Sequence, residues 1–178
     1  MSSPADSGPD GGGGPEAALA RLGLSLPAVP APLAAYVPAT AVGNLVFTAG
    51  QLPFVDGRLS VTGVVGTPRS DHAALAAVSE ADAIAAARTA ALNALAAVAA
   101  VAGGLDKIAR IAKMTVFVAS EPGFTGQPKI ADGASTLLGE IFGDAGRHAR
   151  SAVGVTALPA GSPVEVELVA VLGAPLPI

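Results

Sequence analysis

Hydrophobic and polar positions change their period several times along this chain, and the changes mark its elements. Leu45-Val46-Phe47-Thr48-Ala49 reads as a strand that Gly50-Gln51 interrupts, either at a bulge or where another backbone comes close. Asp56-Gly57 is a hairpin signal, and Leu59 to Val65 reads as a second strand. Residues 66–78 form a polar loop containing Pro68, Arg69, Asp71 and His72. Ser79 followed by Asp82 three residues later resembles a capping box. It opens a long, almost wholly apolar helix that runs to about Val101 and stops at Gly103-Gly104. Ile108 to Ala119 returns to a strand, with Val116 and Val118 on one face and Lys113, Thr115 and Phe117 on the other. Pro128 suits a first helical turn, and Ile130, Ala134, Leu137, Leu138 and Ile141 form a helical stripe that ends at Gly143.

The last run carries the densest chemistry. Residues 151–157 read as a strand, Leu158-Pro159-Ala160-Gly161-Ser162-Pro163 as a turn, and Val164 to Leu172 as an alternating strand. Val164, Val166, Leu168, Ala170 and Leu172 share a wholly apolar face. The opposite face begins with Glu165 and Glu167 and ends in Val169 and Val171. A solvated face would stay polar to its end, so this strand is expected to be covered on both sides. Covered carboxylates need a partner or a role. A hairpin centred on 158–163 would pair Glu165 with Thr156 and Arg150 with Val171. The resulting order of strand, strand, helix, strand, helix, strand, strand predicts an α+β domain, with two helices packed on one face of a single sheet.

Composition refines this picture. The 178 residues suit one domain, and 51 % of them are apolar, many being alanine, while only 3 % are aromatic. Small side chains bury little area each, which makes shared burial in an oligomer attractive. Residues 1–14, with Gly11-Gly12-Gly13-Gly14, are low in complexity and are expected to be a disordered tail before a domain over 15–178. Glu16 to Gly23 is a short helix candidate, and Leu26-Pro27 through Pro32 an extended lead-in. No cysteine is present, which excludes disulfides and thiolate chemistry. Two histidines far apart make a metal site unexpected. A net charge of −4 without a basic stripe argues against nucleic acid. The first residues lack a charged and then apolar leader, and the pure apolar run from Ala94 to Ala102 is too short for a bilayer, so a soluble cytoplasmic protein is expected.

Several motifs occur together and in order. Ala149-Arg150-Ser151-Ala152-Val153-Gly154-Val155 followed by Leu158-Pro159 and Val164-Glu165-Val166-Glu167 is the first. Tyr36-Val37, Gly43-Asn44 and Thr48-Ala49-Gly50-Gln51-Leu52-Pro53 form the second, and Lys113-Met114-Thr115-Val116-Phe117-Val118 the third. Together they resemble the Rid family of reactive intermediate deaminases, also called the YjgF family, over roughly residues 33–172. The resemblance implies a chorismate-mutase-like homotrimer with clefts between subunits. It implies hydrolysis of 2-imino acids and their enamine tautomers to 2-keto acids and ammonia, without a cofactor. Arg150 would anchor the substrate carboxylate, Glu165 would orient water or carry a proton, Tyr36 would line the pocket, and the backbone N–H of Ala152 would help hold the substrate.

Each residue also has a plainer reading. Arg150 could be a structural ion pair, Tyr36 a buried ring with its hydroxyl bonded, and Glu167 a structural or solvated carboxylate. Two departures bear on function. Ala49 stands where the family has serine, and the 123–132 segment is longer than in short members, so the family's helix asparagine has no assigned counterpart. Ala49 favours an alternative, a non-catalytic trimer that binds a small carboxylate or caps a partner. The endoribonuclease activity attached to the family name is disfavoured by the negative charge and the scarcity of stacking aromatics. If Arg150 and Glu165 both act on one small substrate, the hairpin register places them too far apart in one chain, and they must come from different subunits.

Overall fold

The computed structural model describes residues 13–29, 35–66 and 76–175. In chain order the elements are α1 (Pro15–Arg21), β1 (Ala39–Val42), β2 (Leu45–Thr48), β3 (Phe54–Val55), β4 (Arg58–Leu59), β5 (Val64–Val65), β6 (Ala77–Val78), α2 (Glu80–Ala102), β7 (Ile108–Ala119), α3 (Gln127–Phe142), β8 (Ala149–Val155) and β9 (Val164–Leu172). The main sheet has the order β1-β2-β9-β7-β8. The fold is α+β, with α2 and α3 on one face of this sheet.

The helices form for the reasons their sequences suggest. Ser79 caps α2: its hydroxyl oxygen accepts from the Asp82 N–H at 3.1 Å, and its hydroxyl donates to the Asp82 carboxylate at 2.7 Å. Gly103, left-handed at φ 80°, ends the helix. By length and composition α2 could cross a membrane, but it lies in the core, where Ala83, Ala87, Ala90, Ala94 and Val98 have no exposed surface. All five stripe residues of α3 are buried. Gly133 lets the two helices touch at the backbone, since a Cβ there would overlap the carbonyl of Ile84.

The central strand β7 departs from strict alternation. Ile108, Ile111 and Met114 are all buried at a spacing of three, because two register shifts against β9 each add a residue to β7. From Met114 onward the strand alternates, with Met114, Val116 and Val118 facing the helices.

Three sequence expectations need correction. The proposed second strand at 59–65 is split. β3 and β4 form a small hairpin around Asp56-Gly57, while β5 pairs with β6 in parallel outside the main sheet. The second strand of the sheet's first hairpin is instead β2, whose partner β1 was not anticipated. Most consequentially, β8 and β9 are not a hairpin. β7 lies between them, parallel to β8 and antiparallel to β9. Both neighbours of β7 thus come from the C-terminal part of the chain, a crossing that strand pattern does not reveal. Residues 1–12 of the expected tail, part of the proline-rich lead-in, and most of the 66–78 loop with His72 lie outside the described residues.

Candidate functional site

Arg150 lies on β8, an edge strand of the sheet, and its register partner is Met114. It therefore faces the helices. Its Nη1 donates to Asp132 Oδ1 at 2.7 Å and to Ser135 Oγ at 3.0 Å, both on α3. The Arg150 side chain is 26 % exposed, whereas that of Asp132 is 63 % exposed. This ion pair is therefore well solvated on one side, and its net contribution is modest. Ser135 in turn lies 3.2 Å from His148 Nε2, and His148 Nδ1 lies 2.6 Å from the carbonyl oxygen of Gly146. Ser135, Gly139, Gly146, Arg147, His148 and Arg150 line a groove of about 290 Å³. Ala152 follows on the same face of β8, half-buried against the core.

Glu165 is placed quite differently. It pairs in register with Phe117, an odd number of residues from Met114, so it projects from the face the helices leave uncovered. Its carboxylate rests on Gly50, where a Cβ would overlap Glu165 Oε1. This is the close backbone approach that the break at Gly50-Gln51 suggested. The local path is held by three contacts. The Leu168 N–H donates to Thr48 Oγ1 at 2.9 Å, and Gln51 and Val166 exchange backbone hydrogen bonds at 2.8 and 2.9 Å. Asn93 on α2 donates to the carbonyls of Leu52 and Phe54 at 2.8 and 3.1 Å, which fixes the segment after Gly50. Burial pushes the Glu165 carboxyl above the ordinary glutamate value, and the neighbouring Glu167 charge adds to the effect.

One chain thus joins Arg150 with Ala152 but keeps Glu165 and Tyr36 away from them. Arg150 is level with Leu168 across the sheet, three residues from Glu165. The separation is roughly 10 Å along the strands and about 10 Å across two strand spacings, with the side chains on opposite faces. This replaces the hairpin estimate; the conclusion that the two residues cannot meet within one chain stands on different grounds. Tyr36 precedes β1, at the far edge from β8, and at 60 % exposure it is not the buried ring of the plainer reading. The uncovered face also carries Val42, Phe47 and Val153, with exposures of 66, 39 and 44 %. Lys113 Nζ donates to Ser151 Oγ on it at 2.7 Å. Among the described residues no three His, Asp or Glu side chains gather as a metal-ligand set.

The model of the family described as "YjgF/chorismate_mutase-like, putative endoribonuclease" matches residues 16–172. The chain belongs to the YjgF family. Among its relatives is Protein TCP17 of Trypanosoma cruzi, 41 % identical over 150 residues, covering 84 % of this chain and 88 % of that protein. A Shewanella oneidensis structure, described as a putative endoribonuclease, superposes with a TM-score of 0.80 at 36 % identity, over 90 % of this chain and 100 % of that one. Escherichia coli TdcF, solved with bound serine, gives 0.55 at 28 % identity, over 80 % and 92 %. The motif resemblance singled out Arg150, Ala152, Tyr36 and Glu165, but it did not point to Asp132, Ser135 and His148 around the arginine or to Asn93 behind Gly50. The signal for Asp132 and Ser135 was faint: two polar residues three apart on α3, beside its apolar stripe.

Proposed function

We propose that this YjgF-family protein hydrolyses reactive 2-imino and enamine acids to 2-keto acids and ammonia, at clefts between subunits of a homotrimer. The observation that carries this reading is the split between an arginine with unused donors on one sheet edge and a half-buried carboxylate of raised pKa on the opposite face. Two of the five N–H groups of Arg150 are engaged by Asp132 and Ser135. The remaining Nε and Nη2 hydrogens have no hydrogen-bond partner among the described residues and suit a planar carboxylate. An apolar uncovered face bearing Val42, Phe47 and Val153 suits burial against a second copy, which would bring a Glu165 and a Tyr36 to an Arg150 of another subunit. TdcF holds serine, an α-amino acid of the same carboxylate class as a 2-imino acid.

In the reaction, water adds to the imine carbon and gives a proton to the Glu165 carboxylate. The protonated Glu165 passes that proton to nitrogen, giving the neutral carbinolamine. Glu165 then takes the hydroxyl proton and delivers it to the amino nitrogen as the C–N bond breaks, so that ammonia leaves and the oxygen becomes the keto oxygen. A carboxyl poised above its usual range suits both halves of this exchange. The chemistry requires only side chains and water.

A second reading keeps the same assembly as a carboxylate-binding or partner-capping trimer without turnover. The Arg150–Asp132 pair and Ala49 favour it, because the arginine already has a counter-charge and the pocket has lost a hydroxyl. The endoribonuclease wording of the family fits less well: Arg147 and Arg150 are each paired with an aspartate, at 3.5 and 2.7 Å.

The deciding assay adds purified protein to a threonine dehydratase or amino-acid oxidase reaction and follows imine decay directly. Accelerated decay is expected, with Arg150→Ala reducing it by about a hundredfold or more while the fold persists. Unchanged decay with wild-type protein, alongside measurable keto-acid binding, would select the non-catalytic reading.

A further inference from the structure

We infer that Ser135 and His148 are positioning residues that aim the Arg150 guanidinium, leaving its Nε–Nη2 edge to receive the ligand carboxylate. The inference rests on the proposed role of Arg150 as the carboxylate anchor and adds the device that orients it.

The hydrogen bonds have a definite direction. The carbonyl of Gly146 can only accept, so the nitrogen 2.6 Å from it, His148 Nδ1, carries a hydrogen. In the neutral ring Nε2 is then an acceptor, and the Ser135 hydroxyl 3.2 Å away donates to it. With its hydrogen committed, Ser135 Oγ turns a lone pair to Arg150 Nη1 at 3.0 Å. The second Nη1 hydrogen goes to Asp132 at 2.7 Å. Both hydrogens of one guanidinium nitrogen are thereby taken. The end-on edge, which needs one of them, is closed, while the parallel Nε–H and Nη2–H remain as a bidentate fork.

Asp132 alone would not hold this orientation. Its side chain is 63 % exposed, and a single solvated contact lets a guanidinium pivot. Ser135 and His148 are half-buried between α3 and β8, so they restrict the arginine from the protein side. Arg150 and His148 lie two residues apart on the run leading into and along β8, and Ser135 is presented by α3. The arginine is therefore oriented by both elements that flank it. Misaiming an anchor by even about 1 Å costs up to a hundredfold.

The test measures pyruvate, a product-class keto acid, and its neutral analogue pyruvamide, titrated into full-length protein labelled with ¹⁵N-arginine. Wild-type protein is expected to bind pyruvate with a shift of the Arg150 Nε resonance, assigned by its loss in Arg150→Lys. Ser135→Ala and His148→Gln are expected to weaken pyruvate binding about tenfold or more, with pyruvamide affinity unchanged. Ser135→Thr, which keeps the hydroxyl, should restore most of the affinity. Full pyruvate affinity in Ser135→Ala or in folded His148→Gln, with Arg150→Ala unable to bind, overturns the positioning role and leaves the anchor intact. Equal losses for pyruvate and pyruvamide also overturn it, since they indicate direct contact or general disruption. Pyruvate binding by Arg150→Ala equal to wild type removes the anchor itself and this inference with it. If Ser135→Ala does not fold, the His148→Gln and Ser135→Thr arms decide.

Discussion

Glu165 shows how a single residue takes its properties from packing. Its carboxyl lies against the backbone of Gly50 and beside Glu167, and its pKa is raised, first by desolvation and then by the neighbouring charge. A carboxylate whose folded pKa exceeds its unfolded value supports folding below the unfolded pKa and loses that support as pH rises through the folded one. Glu165→Gln is therefore expected to raise the melting temperature at pH 7 and above, and to change it less near pH 4, as thermal melts across pH will show. An unchanged difference between those pH values would contradict the desolvation. Activity should be lost in the same variant. Gly50→Ala tests the contact from the other side. The atom that a methyl would meet is the mobile end of a glutamate, so the carboxylate moves aside at small cost. Melting should fall by no more than a few degrees, while imine hydrolysis falls about tenfold or more because the carboxylate is misplaced.

At the scale of elements, the local signals were mostly legible. The Ser79–Asp82 cap and the left-handed stop at Gly103 rest on contacts within a few residues, the α3 stripe is a local periodicity that packing on α2 and the sheet buries, and all three are present. β7 also reads correctly from Met114 onward, but its bulges depend on registry with β9 and leave no local mark. Gly133 belongs here as well. Within α3 it looks like a weak helix position, yet it is where α2 and α3 touch at the backbone. Gly133→Ala, favourable by helix propensity, should instead destabilise the protein by about 1–3 kcal/mol, because the obstacle is a backbone carbonyl that cannot rotate away. Chemical denaturation measures this; a stabilised variant would show that the helices can separate without loss.

For the whole molecule, sheet order matters most. With β1 and β8 at opposite edges, Tyr36 and Arg150 are separated by four strand spacings, roughly 19 Å along the sheet. Arg150 and Glu165 point from opposite faces. A site that uses all three must draw on more than one chain. If the proposed trimer forms, co-refolding Arg150→Ala with Glu165→Ala subunits, each expected to be inactive alone, should restore part of the imine-hydrolysing activity, because some clefts would then join two intact partners. Native mass spectrometry verifies the mixing. No recovery in verified mixed trimers would mean that the cleft does not pair these residues.

The sequence by itself determined the elements that local periodicity and capping specify. Through its motifs it also indicated the family and the residues of interest: Tyr36, Arg150, Ala152 and Glu165. It did not determine that β7 inserts between β8 and β9, and so the hairpin expected there was wrong. Strand pairing is chosen by burial of whole faces, and the alternation of β8 and β9 is compatible with either arrangement. The surroundings of Arg150 were likewise decided only in three dimensions. Asp132 and Ser135 reach it because α3 crosses β8 on the helix-covered face, a contact between segments 15 to 18 residues apart. Burial raises the Glu165 pKa, and among what lies against its carboxylate is the backbone of Gly50, more than a hundred residues earlier, a contact that no local pattern encodes.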